Sequence, residues 1–360
     1  MNPALDRGDG QDSRAFRLRH AGALLLIIAA LGATLAVPLL LGGTDALSAT
    51  LRLPLQAYLA LFAAIAVSWL CRALKLRLLL RRLDVQAGFL RVLGISLAMD
   101  FGFLATPGGV GGYAAGVYYL SRAGASTSGA ATLTAADQGL DLLFFALALP
   151  VAGLCLAGSD LPEAWKVLAS GTAILALTLA LAALLTRRHW RTWLSAADTG
   201  LARWPTLRRH AHGAREFCAG FGEQMRLLAA GGPLFLTGVF GLTSLQWLTR
   251  YGILWLALAL LGHRISFALI LSLQSLVIHA AQWTGVPAGG GGAELGLSAA
   301  LVARVPANDL AAALLLWRIA TLYVGLIAGA AAIALLARGP AARTTTPRTL
   351  DVVPAEECTG

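Results

Sequence analysis

Apolar runs about as long as a lipid bilayer is thick recur along this chain, and they constrain its fold more than any other feature. The first extends from Ala21 to Leu41, and further runs of similar character follow. A helix needs about 20 apolar residues to cross the hydrocarbon core. Hydrophobic residues make up 58% of the 360 and charged residues 13%, and the mean hydropathy is +0.72. We therefore predict an all-α fold, that of a polytopic helical membrane protein.

Two segments rich in proline and glycine interrupt these apolar regions and lie 180 residues apart. We call residues 106–112 the first Pro/Gly segment and residues 286–292 the second; subtracting 180 places Pro287 on Pro107. A proline with several glycines ends one helix and begins another. Each apolar region is thereby left in pieces that are short for a crossing at ~1.5 Å per residue. These interruptions predict two re-entrant helical hairpins, at residues 86–124 and 267–304.

The same offset aligns whole spans, which indicates that the chain is doubled. Residues 53–156 correspond without a gap to residues 233–336. The basic loops place the first hairpin on the cytoplasmic side and the second on the external side. Two like units of opposite orientation form an inverted repeat, which is typical of transporters. We predict about six full spans plus two re-entrant helical hairpins in an inverted-topology repeat.

The charge pattern orients these segments. Five cations follow the second span with no acid before Asp84, which predicts a cytoplasmic loop; they are Arg72, Lys75, Arg77, Arg81 and Arg82. Tryptophans at helical spacing in 190–204 predict a surface helix, or alternatively a soluble cap. In chain order the predicted segments are a cytoplasmic N-terminal segment (1–20), the first span and an external loop (21–52), repeat unit 1 (53–156), a connecting span with a basic cytoplasmic amphipathic segment (157–232), repeat unit 2 (233–336) and a disordered cytoplasmic tail (337–360).

Composition excludes several classes of protein. The net charge is +10, but the cations cluster beside apolar spans, so no nucleic-acid partner is expected. The four cysteines, Cys71, Cys155, Cys218 and Cys358, are widely spaced and predict neither a zinc site nor a disulfide framework. No metal and no cofactor are expected. No GxxxxGK[ST] motif is present, so ATP is not the predicted energy source.

The interrupted helices predict where an anion would bind. New helices are expected to begin at Tyr113 and at Ala293 or Glu294, and their free N–H groups carry roughly half a positive charge. Two such helix starts that meet would bind a phosphate group. Scattered glycines such as Gly238 and Gly241 are instead attributed to close helix packing. The residues assigned to substrate binding are Pro107, Gly109, Gly111, Gly112, Pro287, Gly289, Gly290, Gly291, Gly292 and Arg318.

Ionisable residues within spans are candidates for function, because a charge at the bilayer centre costs about 2.5–3.5 kcal/mol. They are Asp100, Asp137, Asp141, Arg250, Glu294 and Arg318, with His279 as a titratable neighbour. Asp137 and Asp141 share one helix face and, as two close carboxylates, would keep one proton between them. We assign Asp137, Asp141 and Glu294 to proton coupling or to a counter-ion role. A purely structural Glu294–Arg318 pair is the alternative, and Arg122 and Arg304 are expected to reach the interface.

These residues resemble the flippase-like domain family typified by the membrane part of bacterial lysylphosphatidylglycerol synthases. Pro287 to Glu294, followed by Arg318, is similar to the family's P-x-G-G-x-G-x-x-E motif and its later intramembrane Arg. Pro107 to Gly112 with Asp137 and Asp141 matches the first motif in part. Gln138 stands where the family usually has Arg, and Gly112 and its neighbours lack the usual acid, so the first half would bind a different headgroup or none.

The resemblance covers about residues 20–336 and implies movement of lipid between leaflets. The residues that follow are too few for the aminoacyl-transferring domain of the larger enzymes, so lipid synthesis is not expected. The predicted function is a membrane lipid translocase that moves a polar or anionic lipid between leaflets by alternating access. We expect it in the bacterial inner membrane, with both termini cytoplasmic and a partner lipid bearing an anionic headgroup. Two alternatives stay open: an intramembrane enzyme or helper of lipid modification using Asp137, Asp141 and His279, and a small-solute or ion exporter. Assembly as a homodimer is also left open.

Overall fold

In this computed structural model, residues 6–157, 171 and 205–338 are described, with side chains from residue 27 onward in the first helix. Apart from residue 171, the predicted connecting span lies outside the described residues, as do the tryptophan-bearing segment 190–204 and most of the predicted tail. Those that are described form helices joined by short turns, with no strand among them. The predicted all-α class is confirmed for this part of the chain.

The helices recur in the same order in the two parts of the chain. Two long helices have 28 residues each, and two shorter ones have 17 each. The helices are α1 (Asp6–Leu51), α2 (Leu55–Arg82), α3 (Phe89–Ala105), α4 (Val110–Arg122), α5 (Thr127–Ala157), α6 (Pro205–Ala229), α7 (Pro233–Leu260), α8 (Phe267–Trp283), α9 (Gly292–Leu301), α10 (Ala307–Arg318) and α11 (Val324–Arg338). Short 3₁₀ turns at Pro107–Gly109 and Pro287–Gly289 precede α4 and α9, and a π-helical turn, Ile319–Tyr323, joins α10 to α11.

Four described helices are long and apolar enough to cross a membrane. They are Ile27–Leu51, Leu55–Arg82, Thr127–Ala157 and the continuous Ala307–Arg338, and they correspond to four of the predicted spans. Helix α7 stands at the start of the predicted repeat unit 2, and it forms with Arg215–Ala229 a pair bent by 96°. The part of the chain described here therefore contains four to five candidate spans, and the protein is a multi-pass helical membrane protein.

Both predicted interruptions are present. Helix α3 ends at Ala105, and the Thr106 hydroxyl donates to the Gly102 carbonyl and accepts from the Gly111 N–H, each at 2.7 Å. Gly108 and Gly109 have φ of 61° and 72°, a left-handed backbone that glycine adopts without strain. In the second segment Ala288, Gly289 and Gly291 also have positive φ.

The new helices start earlier than the sequence indicates. Helix α4 begins at Val110 rather than Tyr113, because the Thr106 hydroxyl satisfies the N–H of Gly111 within its first turn. Gly111 and Gly112 are therefore helical. A Cβ at Gly112 would lie 2.3 Å from the Phe103 ring, and one at Gly102 would lie 2.5 Å from the Gly111 backbone. Close packing of α3 on α4 accounts for these glycines, and their predicted contact with substrate stays a prediction.

The two interrupted helices fold back as antiparallel hairpins. Arg91, in the first turn of α3, donates to the carbonyl of Arg122 at the end of α4, at 2.7 Å. In the second hairpin a Cβ at Gly296 would lie 2.6 Å from Val277, so α9 returns along α8. The 3₁₀ turns at the two tips contact each other, and α1 covers the second turn. The interrupted segments therefore meet inside the helical bundle.

Candidate functional site

Glu294 and Arg318 form a buried ion pair beside the second Pro/Gly segment. Glu294 lies in the first turn of α9, and Arg318 is the last residue of α10. Arg318 Nε donates to Glu294 Oε1, and the two side chains are 5% and 0% exposed. Arg318 Nη1 also lies 3.4 Å from the Ala288 carbonyl oxygen, within the second Pro/Gly segment. One guanidinium thus joins a helix start, an interrupted backbone and a carboxylate.

This pair is not saturated with hydrogen bonds. Glu294 Oε2 and Arg318 Nη2 are buried and have no partner among the described residues. A buried polar atom left without a partner costs about 1–3 kcal/mol. Because the carboxylate accepts and the guanidinium donates, the two atoms together suit a group that offers both a hydroxyl and an anionic oxygen.

The backbone is irregular directly after Arg318. Residues 319–323 form a π-helical turn, a feature that often marks functional sites in helices. The Tyr323 hydroxyl in this turn donates to the Leu31 carbonyl of α1 at 2.8 Å and lies 2.5 Å from the Thr34 hydroxyl. Helix α1 is thereby tied to the segment that carries Arg318.

A second set of buried charges connects four helices, and we call it the charge chain. Arg72 Nη1 contacts Asp100 Oδ1, and Arg72 Nη2 lies 2.9 Å from Asp137 Oδ2. Lys75 Nζ lies 2.7 Å from Asp137 Oδ1 and 3.0 Å from Asp141 Oδ1. Arg250 Nη1 lies 3.1 Å from Asp100 Oδ2. The order of contacts is Arg250, Asp100, Arg72, Asp137, Lys75, Asp141, so the sign alternates at every step.

Alternation makes the chain electrically neutral, with three cations and three acids. An isolated charge in a spanning helix costs about 2.5–3.5 kcal/mol, and pairing removes much of that cost. The inner members are 0–5% exposed, whereas the terminal Arg250 and Asp141 side chains are 16% and 11% exposed. Within the charge chain, each terminal residue has one ionic partner and each inner residue has two. The ends are therefore the members that can change partners most easily.

Arg72 and Lys75 correct the sequence interpretation. The charge pattern places them in a cytoplasmic loop, but helix α2 continues to Arg82 and buries both side chains. The prediction is therefore wrong for Arg72 and Lys75. The acids that pair with them lie 28 to 66 residues further along the sequence, so the local charge pattern does not reveal the pairing. The available signal was spacing: Ser68, Arg72, Lys75 and Leu79 recur at intervals of three or four, and all are buried.

Asp137 and Asp141 lie together, as their spacing predicts, but not as an isolated carboxylate pair. Lys75 Nζ lies between them and contacts both. The physical reason given for a shared proton, repulsion between two unpaired carboxylates, therefore does not describe this geometry. Gln138, which stands where the family usually has Arg, donates to Asp137 at 3.3 Å. The guanidinium that contacts Asp137 is instead that of Arg72, from α2. Proton coupling by these acids stays a prediction.

Other candidates lie apart from these clusters. His279 Nδ1 contacts the carbonyl of Ser275 at 2.6 Å, and its ring packs against Phe145 rather than against an acid of the chain. Arg122 contacts the Tyr118 hydroxyl at an exposed position, and Arg304 lines a cavity beside the start of α8. Within the described ranges no three His, Cys, Asp or Glu side chains are grouped so as to hold a metal ion.

The first Pro/Gly segment carries no charged residue, but it lies against the second Pro/Gly segment. Its 3₁₀ turn, with Pro107 and Gly109, contacts the turn of Pro287 and Gly289. Arg318 contacts the carbonyl between those last two residues. The predicted substrate-binding residues of both segments and Arg318 thus belong to one neighbourhood in the structure.

The fold and these clusters define a class: a polytopic helical membrane protein with paired charges in its interior, around two interrupted helices. Comparison with known families agrees. A profile described as "Lysylphosphatidylglycerol synthase TM region" matches residues 22–329, and the chain belongs to this family. A UPF0104 membrane protein of Archaeoglobus fulgidus is similar at 25% identity over 271 residues, which are 73% of this chain and 81% of the archaeal protein. The resemblance inferred from the motifs is confirmed.

Proposed function

We propose that this protein is a flippase-like lipid translocase that moves a polar or anionic lipid between leaflets by alternating access. The family description refers to the membrane region of proteins named for a lipid product, which supports a lipid as the substrate class. The arrangement of helices, the interrupted segments and the chemistry around Arg318 support the mechanism.

Reciprocal packing supports an inverted repeat of two units, residues 53–156 and 233–336. The first helices of the units, α2 and α7, pack on each other. Helix α3 of unit 1 packs on α11 of unit 2, and α8 of unit 2 packs on α5 of unit 1. The two 3₁₀ turns also contact each other. Exchanging the units leaves this pattern unchanged, as a two-fold pseudo-axis requires.

The positions of the hairpin openings support opposite orientation of the units. A cavity of about 540 Å³ adjoins the start of α5 and the loop from α2 to α3, at the open end of the first hairpin. Another of about 410 Å³ adjoins the end of α5 and the loop from α7 to α8, at the open end of the second. Helix α5 is one of the candidate spans. Re-entrant hairpins that open to opposite sides of the membrane follow from this proposal.

The cations support a cytoplasmic placement for one end of the bundle, in a bacterial inner membrane. Arg81 and Arg82 end α2 there, and Arg82 donates to the carbonyls of Leu227 and Ala230. Arg226 is exposed on α6 nearby. Cytoplasmic loops are enriched in Arg and Lys. Both termini are proposed to lie on this side.

The observation that carries the proposal is the buried Arg318 guanidinium where two interrupted helices meet, with one nitrogen that has no partner among the described residues. Interrupted helices of transporters bind substrate at such meeting points, with helix starts facing anionic groups. A planar guanidinium suits phosphate oxygens. We therefore assign the headgroup phosphate to Arg318 and the start of α9. Glu294 is the acid that accepts from Arg318 between substrates.

The test is lipid movement in proteoliposomes that contain fluorescent phosphatidylglycerol. The full chain is compared with Glu294→Gln/Arg318→Gln, which removes both charges and leaves no buried charge unpaired. Arg304→Gln, an exposed arginine outside the pair, is the matched control. We expect the double variant to fold, by detergent gel filtration and thermal unfolding, and to lose flipping while the control keeps it.

Three outcomes would contradict the proposal. Equal flipping by the double variant would remove the site. A chemically altered lipid recovered after incubation would indicate an enzyme of lipid modification instead. Leakage of water-soluble tracers without movement of labelled lipid would indicate a solute exporter.

A further inference from the structure

The charge chain has one cation and one acid at its ends, and each can be released without leaving its neighbour unpaired. Arg250 contacts Asp100, but Asp100 also contacts Arg72. Asp141 contacts Lys75, but Lys75 also contacts Asp137. Release of any inner member would break two ion pairs instead of one, and release of Asp100 or Lys75 would also leave a terminal residue without its ionic partner.

We infer that Arg250 is a second binding residue for a phosphate-bearing anion and that its occupation is linked to uptake of one proton by Asp141. This inference rests on the proposed function and deepens it by naming how transport is coupled. The charge chain is neutral before an anion binds. An anion bound at Arg250 adds a negative charge to a buried, neutral cluster, and a proton on Asp141 restores neutrality.

The geometry gives the sequence of partner changes. The anion takes the guanidinium of Arg250, and Asp100 keeps its contact with Arg72. Arg72 and Lys75 hold Asp137 between them, at 2.9 and 2.7 Å. Excess negative charge at one end therefore favours protonation of the acid at the other end. The proton binds to a carboxylate oxygen of Asp141, and no covalent bond to the anion forms.

The location of Arg250 suits a transport role. It belongs to α7 of the proposed second unit, whereas Asp100 belongs to α3 of the first, so their ion pair joins the two units. Arg250 also packs over the Trp247 ring, with the guanidinium carbon 6.0 Å from the ring centre. Replacement of Asp100 by a bound anion would loosen this contact between the units. Binding would thereby promote the relative movement that alternating access requires.

The groups around Asp141 allow it to accept the proton. Its own helix contributes Asp137, α2 contributes Lys75 and Arg72, α4 contributes Tyr113, and α7 contributes Trp247 and Tyr251. Helix α8 contributes His279, which packs on Phe145 one turn further along α5. Helix α6 contacts the first turns of α5, through residues such as Thr132 and Ser128. Of the three acids in the charge chain, Asp141 has the fewest cationic partners and the most exposed side chain.

The experiment measures protons taken up per lipid bound. Full-length protein in detergent is titrated with short-chain phosphatidylglycerol by calorimetry, in two buffers of different ionisation enthalpy. We expect uptake of about one proton per lipid at the linked site and an affinity that falls about tenfold per pH unit where Asp141 is ionised. Asp141→Asn should bind lipid without proton uptake and without this pH dependence. Arg250→Gln should lose the proton-linked part of binding.

Matched controls and further arms keep the result specific. Asp84→Asn and Arg264→Gln change exposed residues that do not belong to the charge chain, so both variants should behave as wild type. Short-chain phosphatidylcholine tests whether net charge is needed, and sodium phosphate tests whether the acyl chains are needed. Proton-linked binding of phosphatidylglycerol alone identifies a lipid headgroup. Equal proton-linked binding of inorganic phosphate keeps the linkage and assigns the site to a soluble anion.

Failure of this inference is distinct from failure of the proposed function. Lipid binding and flipping with no proton uptake in wild type would overturn the linkage and leave the translocase intact. Unchanged proton uptake in Asp141→Asn, or in Arg250→Gln, would overturn the assignment of these residues. Proton-linked binding without any flipping would refute the translocase and leave the linkage in place.

Discussion

Asp137 and Asp141 are chemically identical and one helical turn apart, yet their replacement should have different consequences. Asp137 is an inner member of the charge chain, in contact with Arg72 and Lys75. Asp141 is a terminal member, and Lys75 is its one ionic partner among the described residues. Asp137→Asn leaves two facing cations with one acid each. Asp141→Asn breaks a single ion pair and leaves Asp137 in contact with both Arg72 and Lys75.

The expected magnitudes follow from the ion pairs that each substitution removes. A hydrogen bond to a charged group contributes about 1.5–3 kcal/mol, and breaking a buried ion pair from one side costs about 3–5 kcal/mol. Asp137→Asn removes ion pairs at 2.9 and 2.7 Å, so we expect a destabilisation of about 3–5 kcal/mol. Asp141→Asn removes one ion pair at 3.0 Å, and the Asp141 side chain is more exposed than that of Asp137, so we expect about 1–2 kcal/mol. The difference of roughly 2 kcal/mol is about 30-fold in the unfolding equilibrium constant.

The assay is reversible unfolding in mixed detergent micelles, followed by circular dichroism and tryptophan fluorescence. Asp84→Asn is the control, because Asp84 is exposed and its positive φ of 56° is one that asparagine tolerates. Equal destabilisation by the two aspartate variants would refute the alternating chain as the source of stability. So would a larger loss for Asp141→Asn than for Asp137→Asn.

Two further predictions concern pairing and packing. Lys75→Met should destabilise the protein by about 3–5 kcal/mol. Adding Asp141→Asn should recover about 1–3 kcal/mol, because the rest of the charge chain is then neutral. Additive losses in the same unfolding assay would contradict this. Gly102→Ala should cost more than about 2 kcal/mol, since its Cβ would lie 2.5 Å from the backbone of Gly111. Gly238→Ala, in helix α7, should instead stabilise by about 0.5–1 kcal/mol, because its Cβ would meet no described atom within 4 Å. The reverse order of the two glycine variants would be inconsistent with the packing.

Features that depend on neighbouring residues could be predicted from the sequence. The apolar runs predict the long helices, and the prolines and glycines of 106–112 and 286–292 predict where two helices are interrupted. In both cases the signal lies in the segment itself. The predicted start of α4 is three residues late, because the true start depends on a side-chain cap from Thr106. A side-chain cap of this kind is set by geometry and not by periodicity.

Features that depend on distant partners could not be predicted in the same way. Arg72 and Lys75 precede Arg77, Arg81 and Arg82, and nothing in that order separates buried cations from surface ones. Their burial becomes clear only when α5 brings its acids alongside α2. The glycines show the same limit. The attribution of Gly238 and Gly241 to close packing finds no support within the described ranges, where a Cβ at either position would meet no atom within 4 Å.

The two parts of the chain share an order of helices but not a pattern of charge, and this difference bears on mechanism. At the offset of 180, Gln138 stands at the position of Arg318, and Trp255 stands at the position of Lys75. The Glu294–Arg318 pair therefore has no counterpart in the first part, and the inner charge chain has none in the second. Helix order follows from apolar length and glycine breaks, which both parts retain. If the protein moves lipid as proposed, its two units perform different tasks: the second holds the headgroup at an interrupted helix, and the first balances the charge that the headgroup brings.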